Sequence, residues 1–398
     1  MIMCLRKRIK TPTTGILAGG CMLMKRKSNL MKRLSALLLC FLLLFTSATA
    51  NAAADVNKKD GTVNHSDSLS RLFHSKPDYC LYCSRYHTGT WGPFVQFFHN
   101  IGYFFCGIFG KYPDEGRMFF TLDSIDAGAD EPFTFIHLGD NHLSLIDERD
   151  YGDARLVETA NARFDYCPYA QRVLDDAALK AQELDAFIVH TGDLIDYVSH
   201  KNLDLAKDFT DHNDVFACAG NHEYHVYIWD DGEDVPRRER VEEKVQAAFS
   251  NDIRFSVREE HGVKFIAIDN SFHTIEQWQL NRFKEELKDG KPIILALHVP
   301  VYAPDIFEFQ MTKLDYPHPA WLMAVPEELM AEHHYEPQWI EEQKANDATK
   351  AFYDLIVSSP NLKAILVGHD HAHFVSQVTP TLKQYMVACE EGQIFTVS

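Results

Sequence analysis

The sequence predicts an α/β fold with its chemistry gathered at strand ends, and two observations lead there. Five short runs of β-branched, aromatic and other apolar residues each break into a loop rich in Gly, Asp, Asn and His. Between them lie segments with helical patterning, as at residues 241–249 and 276–287. In open α/β sheets, the loops at strand carboxyl ends carry the ligands.

The first run is residues 133–138, which reads as a buried strand and ends in Gly139-Asp140-Asn141-His142. Asp140 offers a hard oxygen ligand and His142 an imidazole nitrogen. The second, residues 186–190, leads into Gly192-Asp193-Leu194-Ile195-Asp196. A carboxylate has two oxygens, so Asp193 can bridge two cations, and Gly192 lets the chain turn tightly. The third is residues 215–219 before Gly220-Asn221-His222-Glu223. The Asn221 carbonyl can complete a ligand shell already rich in anions, and His222 beside it is placed to act as an acid. The fourth, residues 293–297, ends at His298, which on its own would read as a core histidine. The fifth, residues 364–367, ends in Gly368-His369-Asp370-His371, two histidines with one residue between them. A histidine is costly at a strand end without a partner.

Taken in order, these blocks resemble the pattern of the calcineurin-like metallophosphoesterase superfamily over residues 131–398. The resemblance implies a four-layer α/β/β/α sandwich with its site at strand carboxyl ends. It implies that Asp140, His142, Asp193 and His371 hold one metal. Asp193 would bridge to a second metal, which Asn221, His298 and His369 complete. His222 would meet the phosphoryl oxygen or protonate the leaving group, and Asp196 would orient His222. The implied cofactors are two transition metal ions (Mn, Fe or Zn), and the implied reaction is hydrolysis of a phosphomonoester or phosphodiester by a metal-bridging hydroxide. The alternative is an envelope-associated binding protein with the same fold and little activity. Purple acid phosphatases carry a metal-binding Tyr where this chain has Asp196, so no tyrosinate colour is expected. Only 27 residues follow His371, so the large C-terminal domain of secreted 5′-nucleotidases is not expected.

The remaining sequence sets context. Of 398 residues, 46% are hydrophobic and 24% charged, an ordinary globular composition with room for one large domain and an extension. Residues 1–54 hold nine Lys/Arg and no acids, and Lys32-Arg33 precede an apolar run over 34–45 with small residues at Ala48, Ala50 and Ala52. This reads as a leader with a signal peptide, starting at Met31, so a secreted or cell-surface bacterial protein is expected. Without those nine positive charges the net charge falls from −18 to −27, which argues against nucleic-acid binding.

Residues 55–130 read as an N-terminal extension. In it, Cys80-Leu81-Tyr82-Cys83 with His87 is a zinc half-site, a Cys80–Cys83 disulfide being the competing reading. Residues 94–109, with Phe94, Phe97, Phe98, Phe104, Phe105 and Phe109, would form an aromatic helix that packs on the domain or touches the envelope. The pair is similar to a short Cys-x-x-Cys-x3-His element followed by an aromatic helix in secreted proteins of Gram-positive bacteria. Beyond the leader six cysteines remain: Cys80, Cys83, Cys106, Cys167, Cys218 and Cys389. Cys218, inside a strand, is expected to be a buried thiol, and spacing forces no pairing among the others. Residues 302–337 read as irregular and as the substrate rim, with Phe307, Phe309, Trp321 and Tyr335 among its aromatics. His225 and His373, near the motifs, are expected to line the pocket or support ligands.

Overall fold

In the computed structural model, the structure describes residues 79–80, 85–86, 118–163, 166–167, 169–228, 234–314 and 320–398, with backbone alone at 79–80, 85–86 and 234–236. The leader, Cys83 and His87 of the zinc half-site, and the aromatic segment 94–109 lie outside them. Strands β1 (Tyr79–Cys80) and β2 (Arg85–Tyr86) pair antiparallel.

Two sheets form the body. One contains β3 (Phe119–Ile125), β4 (Phe133–Leu138), β5 (Phe187–His190), β6 (Val215–Ala217) and β13 (Glu391–Val397), in the order β3-β13-β4-β5-β6. The other contains β7 (Phe255–Glu260), β8 (Val263–Ile268), β9 (Ile293–Ala296), β10 (Leu362–Val367), β11 (Phe374–Gln377) and β12 (Lys383–Met386), in the order β11-β12-β10-β9-β8-β7. The motif-bearing strands run parallel to their neighbours: β4 with β5, β5 with β6, and β9 with β10. That common direction collects their carboxyl-terminal loops at one edge.

Alternation along the strands explains the layering. Phe135, Phe187, Val189, Phe265, Ala267, Ile294, Ala296, Ala364, Leu366 and Phe395 come from both sheets and form one buried cluster between them. Alanines in β8, β9 and β10 make room for the phenylalanines, and Phe135 meets Phe265 edge-on at 5.1 Å between ring centroids. Burying each such ring contributes about 2 kcal/mol.

The residues that alternate with these face outward. Ile136, Leu138 and Ile188 pack against α2 (Ala170–Leu184), α3 (His200–His212) and α4 (Asp234–Gln246). Ile266, Ile293, Leu295, Ile365 and Val367 pack against α5 (Gln277–Glu286), α6 (Pro304–Thr312) and α9 (Asp347–Ser358). The result is the four-layer α/β/β/α sandwich. The short α1 (Ala154–Arg163) precedes α2. Ser199 caps α3 by accepting from the Asn202 N–H at 3.0 Å, and Asn346 caps α9 from Thr349 at 2.8 Å.

One expectation is corrected. Residues 302–337 are not irregular: they supply α6 and α7 (Glu327–Glu332), and α8 (Pro337–Gln343) begins at their end. Pro304 and Pro337 sit in the first turns of α6 and α8, where a missing N–H costs nothing and φ is already set. Among the described residues no helix is long and apolar enough to cross a membrane.

Candidate active site

The five motif loops meet where the carboxyl ends of β4, β5 and β6 in one sheet face those of β9 and β10 in the other. Asp140, His142, Asp193, His369 and His371 all adopt left-handed backbone, with φ of 55°, 51°, 55°, 78° and 54°. Such conformations cost of order 1 kcal/mol or more outside glycine, and their clustering marks a site where geometry has been favoured over local stability. Gly192, at φ 92°, takes the turn that no side chain could share with the Gly220 backbone against it.

Contacts between the sheets build the site. Asp140 Oδ1 accepts from the His369 N–H at 2.9 Å. His298 donates from Nδ1 to the Thr191 carbonyl at 2.8 Å, which leaves its Nε2 as a lone pair. That nitrogen faces Asn221 Oδ1 at 3.0 Å, Asp193 Oδ2 at 3.3 Å and His369 Nδ1 at 3.2 Å. On the other side, His142 donates from Nδ1 to Asp196 Oδ1 at 3.0 Å, so its Nε2 is also a lone pair. It faces His371 Nε2 at 2.9 Å and Asp193 Oδ2 at 3.6 Å.

Carboxylates and imidazole nitrogens thus crowd a buried space that favours positive charge. Burial lowers the pKa of His298, but Asp193 and Asp140 outweigh it and push it up to about 10. Burial pushes Asp140 up to about 8, and its Oδ2 is buried with no hydrogen-bond partner. Burial also acts on Asp193, but His298 and His222 hold it well below the usual carboxylate range. Asp140, His142, Asp193 and His371 bring one atom each close enough to share an ion. Asn221, His298 and His369 converge on the far side of Asp193. The donor set therefore fits metal ions.

His222 and Asp196 stand beside this set. His222 Nδ1 lies 2.9 Å from Asp196 Oδ1 and 2.8 Å from the Asp196 carbonyl. Asp196 also holds His142 and is gripped by Arg163 at both oxygens, at 2.8 and 2.7 Å. With every lone pair engaged, Asp196 works as a fixed acceptor that orients two histidines. Burial opposes charge on His222, yet Asp193 and Asp196 raise its pKa.

Several supports have no role among the sequence-based expectations, although Glu223 and Asn141 lie inside the motifs. Glu223 accepts four backbone N–H groups, from Gly220, Asp193, Leu194 and Ile195, at 2.7 to 3.2 Å. His190 holds Asn141 at 2.9 Å, and Asn270 accepts from His298 N and Val299 N at 3.0 Å each. Arg163 lies 3.4 Å over the Tyr166 ring, and Tyr166 O–H is 3.3 Å from His371 Nδ1. Arg163 ends a helix, and nothing in its neighbours marks it.

A cleft of about 330 Å³ opens over the site, lined by Tyr166, His222, His225, Phe272, His273 and Trp321 among others. Of the aromatics expected at the rim, Trp321 reaches it. Phe307 and Tyr335 are buried, and Phe309 stacks on Phe374 at 4.2 Å. His225 lines the cleft beside His222, whereas His373 bonds Glu391 at 2.7 Å elsewhere. Cys218 is a buried free thiol, as expected. The side chains proposed for a structural zinc at Cys80, Cys83 and His87 lie outside the described residues.

A dimetal phosphatase from Danio rerio is 14% identical, covering 65% of this chain and 88% of its own, at a TM-score of 0.40. A phosphopantetheinyl hydrolase from Mycobacterium tuberculosis is 13% identical, covering 64% and 89%, at 0.35. A 5′-nucleotidase from Candida albicans is 13% identical, covering 69% and 47%, at 0.32. No protein of curated function matches the sequence. The model of the calcineurin-like phosphoesterases matches residues 133–373, from the first residue of β4 past the loop that follows β10. All five loops that build the site fall inside that match, and the chain belongs to the calcineurin-like phosphoesterase family.

Proposed function

We propose that this chain is a hydrolase of phosphate esters that works with two metal ions, one on each side of Asp193. The observation that carries the reading is the position of the Asp193 carboxylate, with Oδ2 3.6 Å from His142 Nε2 and 3.3 Å from His298 Nε2. Asp140, His142 and His371 would hold one ion with Asp193. Asn221, His298 and His369 would hold the other. When bound, such a pair supplies Lewis-acid polarisation of the phosphoryl group and lowers the pKa of water.

The chain's own residues do the rest. Asp196 fixes His222 through Nδ1, leaving Nε2 for the substrate. His222, with its raised pKa, can hold a proton there and give it to the departing oxygen. Tyr166 and Trp321 wall the cleft and limit water around the ester. The metals would be Mn, Fe or Zn, by the nitrogen and oxygen character of the donors. Export is part of the same reading, supported by the apolar run behind Lys32-Arg33. Recovery from a secreting host of a protein still carrying residues 34–45 would refute it.

The test is hydrolysis of p-nitrophenyl phosphate and bis-p-nitrophenyl phosphate with added Mn, with EDTA, and by variants. EDTA should abolish turnover. Asp193→Ala should lose turnover and both metals by elemental analysis. His222→Ala should retain metal and lose turnover by about 10²-fold or more. Metal-loaded protein inactive on both esters would move the reading to a binding protein; unchanged turnover in His222→Ala would remove the role given to that residue.

A further inference from the structure

Three cysteine side chains lie among the described residues, and two of them are neighbours. Cys218 is buried between the sheets. Cys167 and Cys389 sit in loops far apart in sequence, one between α1 and α2 and the other between β12 and β13, and both are half-buried. The Cys389 thiol is in hydrogen-bond contact with that of Cys167. Each is also pinned to the first metal loop. Cys167 Sγ lies 3.9 Å from the Asp140 carbonyl, and the Cys389 carbonyl accepts from Asn141 Nδ2 at 3.1 Å. Two loops therefore bring one cysteine each against consecutive residues of the same motif, Cys167 through its thiol and Cys389 through its backbone.

We propose that Cys167 and Cys389 form a disulfide that fastens the α1–α2 linker to the loop before β13, at the outer edge of the active site. Thiol–thiol hydrogen bonds are weak, so two partly exposed thiols held in contact gain little as thiols and much as a covalent bond. The step is an exchange with a disulfide-bearing oxidant such as oxidised glutathione. The two thiols give up two protons and two electrons and join. The oxidant's S–S bond accepts them and breaks into two thiols.

The bond has local and long-range effects. It restrains the segment that presents Tyr166 to His371 and keeps Asn141 tied to the chain before β13. It also closes a loop spanning most of the described residues, the case in which a cross-link removes most freedom from the unfolded chain. None of this depends on the ester chemistry proposed above.

The test is peptide mapping of the purified chain after equilibration with oxidised glutathione. The protein is denatured, alkylated with iodoacetamide, digested without reductant and read by mass spectrometry. The expected result is one cross-linked species joining the peptide of Cys167 to that of Cys389, with Cys218 recovered alkylated. Alkylated Cys167 and Cys389, or either one paired with Cys80, Cys83 or Cys106, would overturn the assignment. Thermal melts give an independent reading. Without reductant, Cys167→Ser, Cys389→Ser and the double variant should share one Tm, about 5 °C or more below that of the unaltered chain. A Tm lowered by one substitution and not by the other would also overturn it.

Discussion

An alanine at position 368 would put its methyl carbon 2.7 Å from Asp140 Oδ2, closer than real contacts allow. The glycine leaves the place of a side chain to the Asp140 carboxylate, and Gly220 makes the same room for Asp193. Gly368→Ala is therefore expected to displace Asp140 and weaken metal binding by about 10–100-fold, with the fold intact. Metal titration by calorimetry beside a circular dichroism melt checks this; unchanged affinity would mean that the loop relaxes freely. At this scale much was legible. Asp140, His142, Asp193, Asn221, His298, His369 and His371 could be named because their five motifs in order resemble the family pattern, and the structure brings them together. Arg163 and Tyr166 could not, because they reach the site through tertiary packing alone: neither residue type nor spacing sets an arginine that grips Asp196 apart from one at any helix end.

Among elements, the loops after β5 and β6 are joined by one side chain. Glu223 takes N–H groups from both, so a single carboxylate replaces hydrogen bonds that no strand provides there. Burial and Asp193 push its pKa up to about 7, while the N–H bonds pull against them. Glu223→Ala would orphan four buried donors at about 1–3 kcal/mol each. The expected loss is at least about 4 kcal/mol in urea unfolding of the metal-free protein. A loss below about 1 kcal/mol would show that the loops hold themselves. The strands that carry motifs were readable, since β4, β5, β6, β9 and β10 are short apolar runs. The helices between residues 302 and 337 were hidden by proline, which reads as a breaker although at a helix start it is a nucleator. Strand β13 was hidden because its buried positions include Glu391 and Gln393, polar residues satisfied only by partners elsewhere in the fold.

For the whole molecule, the four-layer arrangement came from the resemblance and not from periodicity. Strands buried on both faces read as continuous apolar runs, so which face met which layer was not visible. Their burial also brings histidines into the interior. His137, bonded to Gln393 and Thr191, and His190 are both held down to about 3 from an ordinary 6.5, chiefly by burial. A folded-state pKa below the unfolded one means that only the unfolded chain gains the proton. Stability is then complete above pH 6.5 and falls as pH drops toward 3. The slope is up to about 1.4 kcal/mol per pH unit for each group. For the two together the metal-free protein should lose about 3 kcal/mol between pH 6.5 and 5, measured by urea midpoints. Flat stability across that range would place the histidines in wetter surroundings.

Strand β13 lies between β3 and β4, parallel to the first and antiparallel to the second. A ribosome delivers β3 and β4 close together and then makes some 250 further residues before the strand that separates them emerges. Until then both wait with unpaired backbone edges, open to any strand nearby. A product terminated at residue 390 would keep every side chain of the candidate metal site and still lack the middle of a sheet. Such a fragment is expected in inclusion bodies, and a separately supplied peptide of residues 391–397 would be its natural rescue.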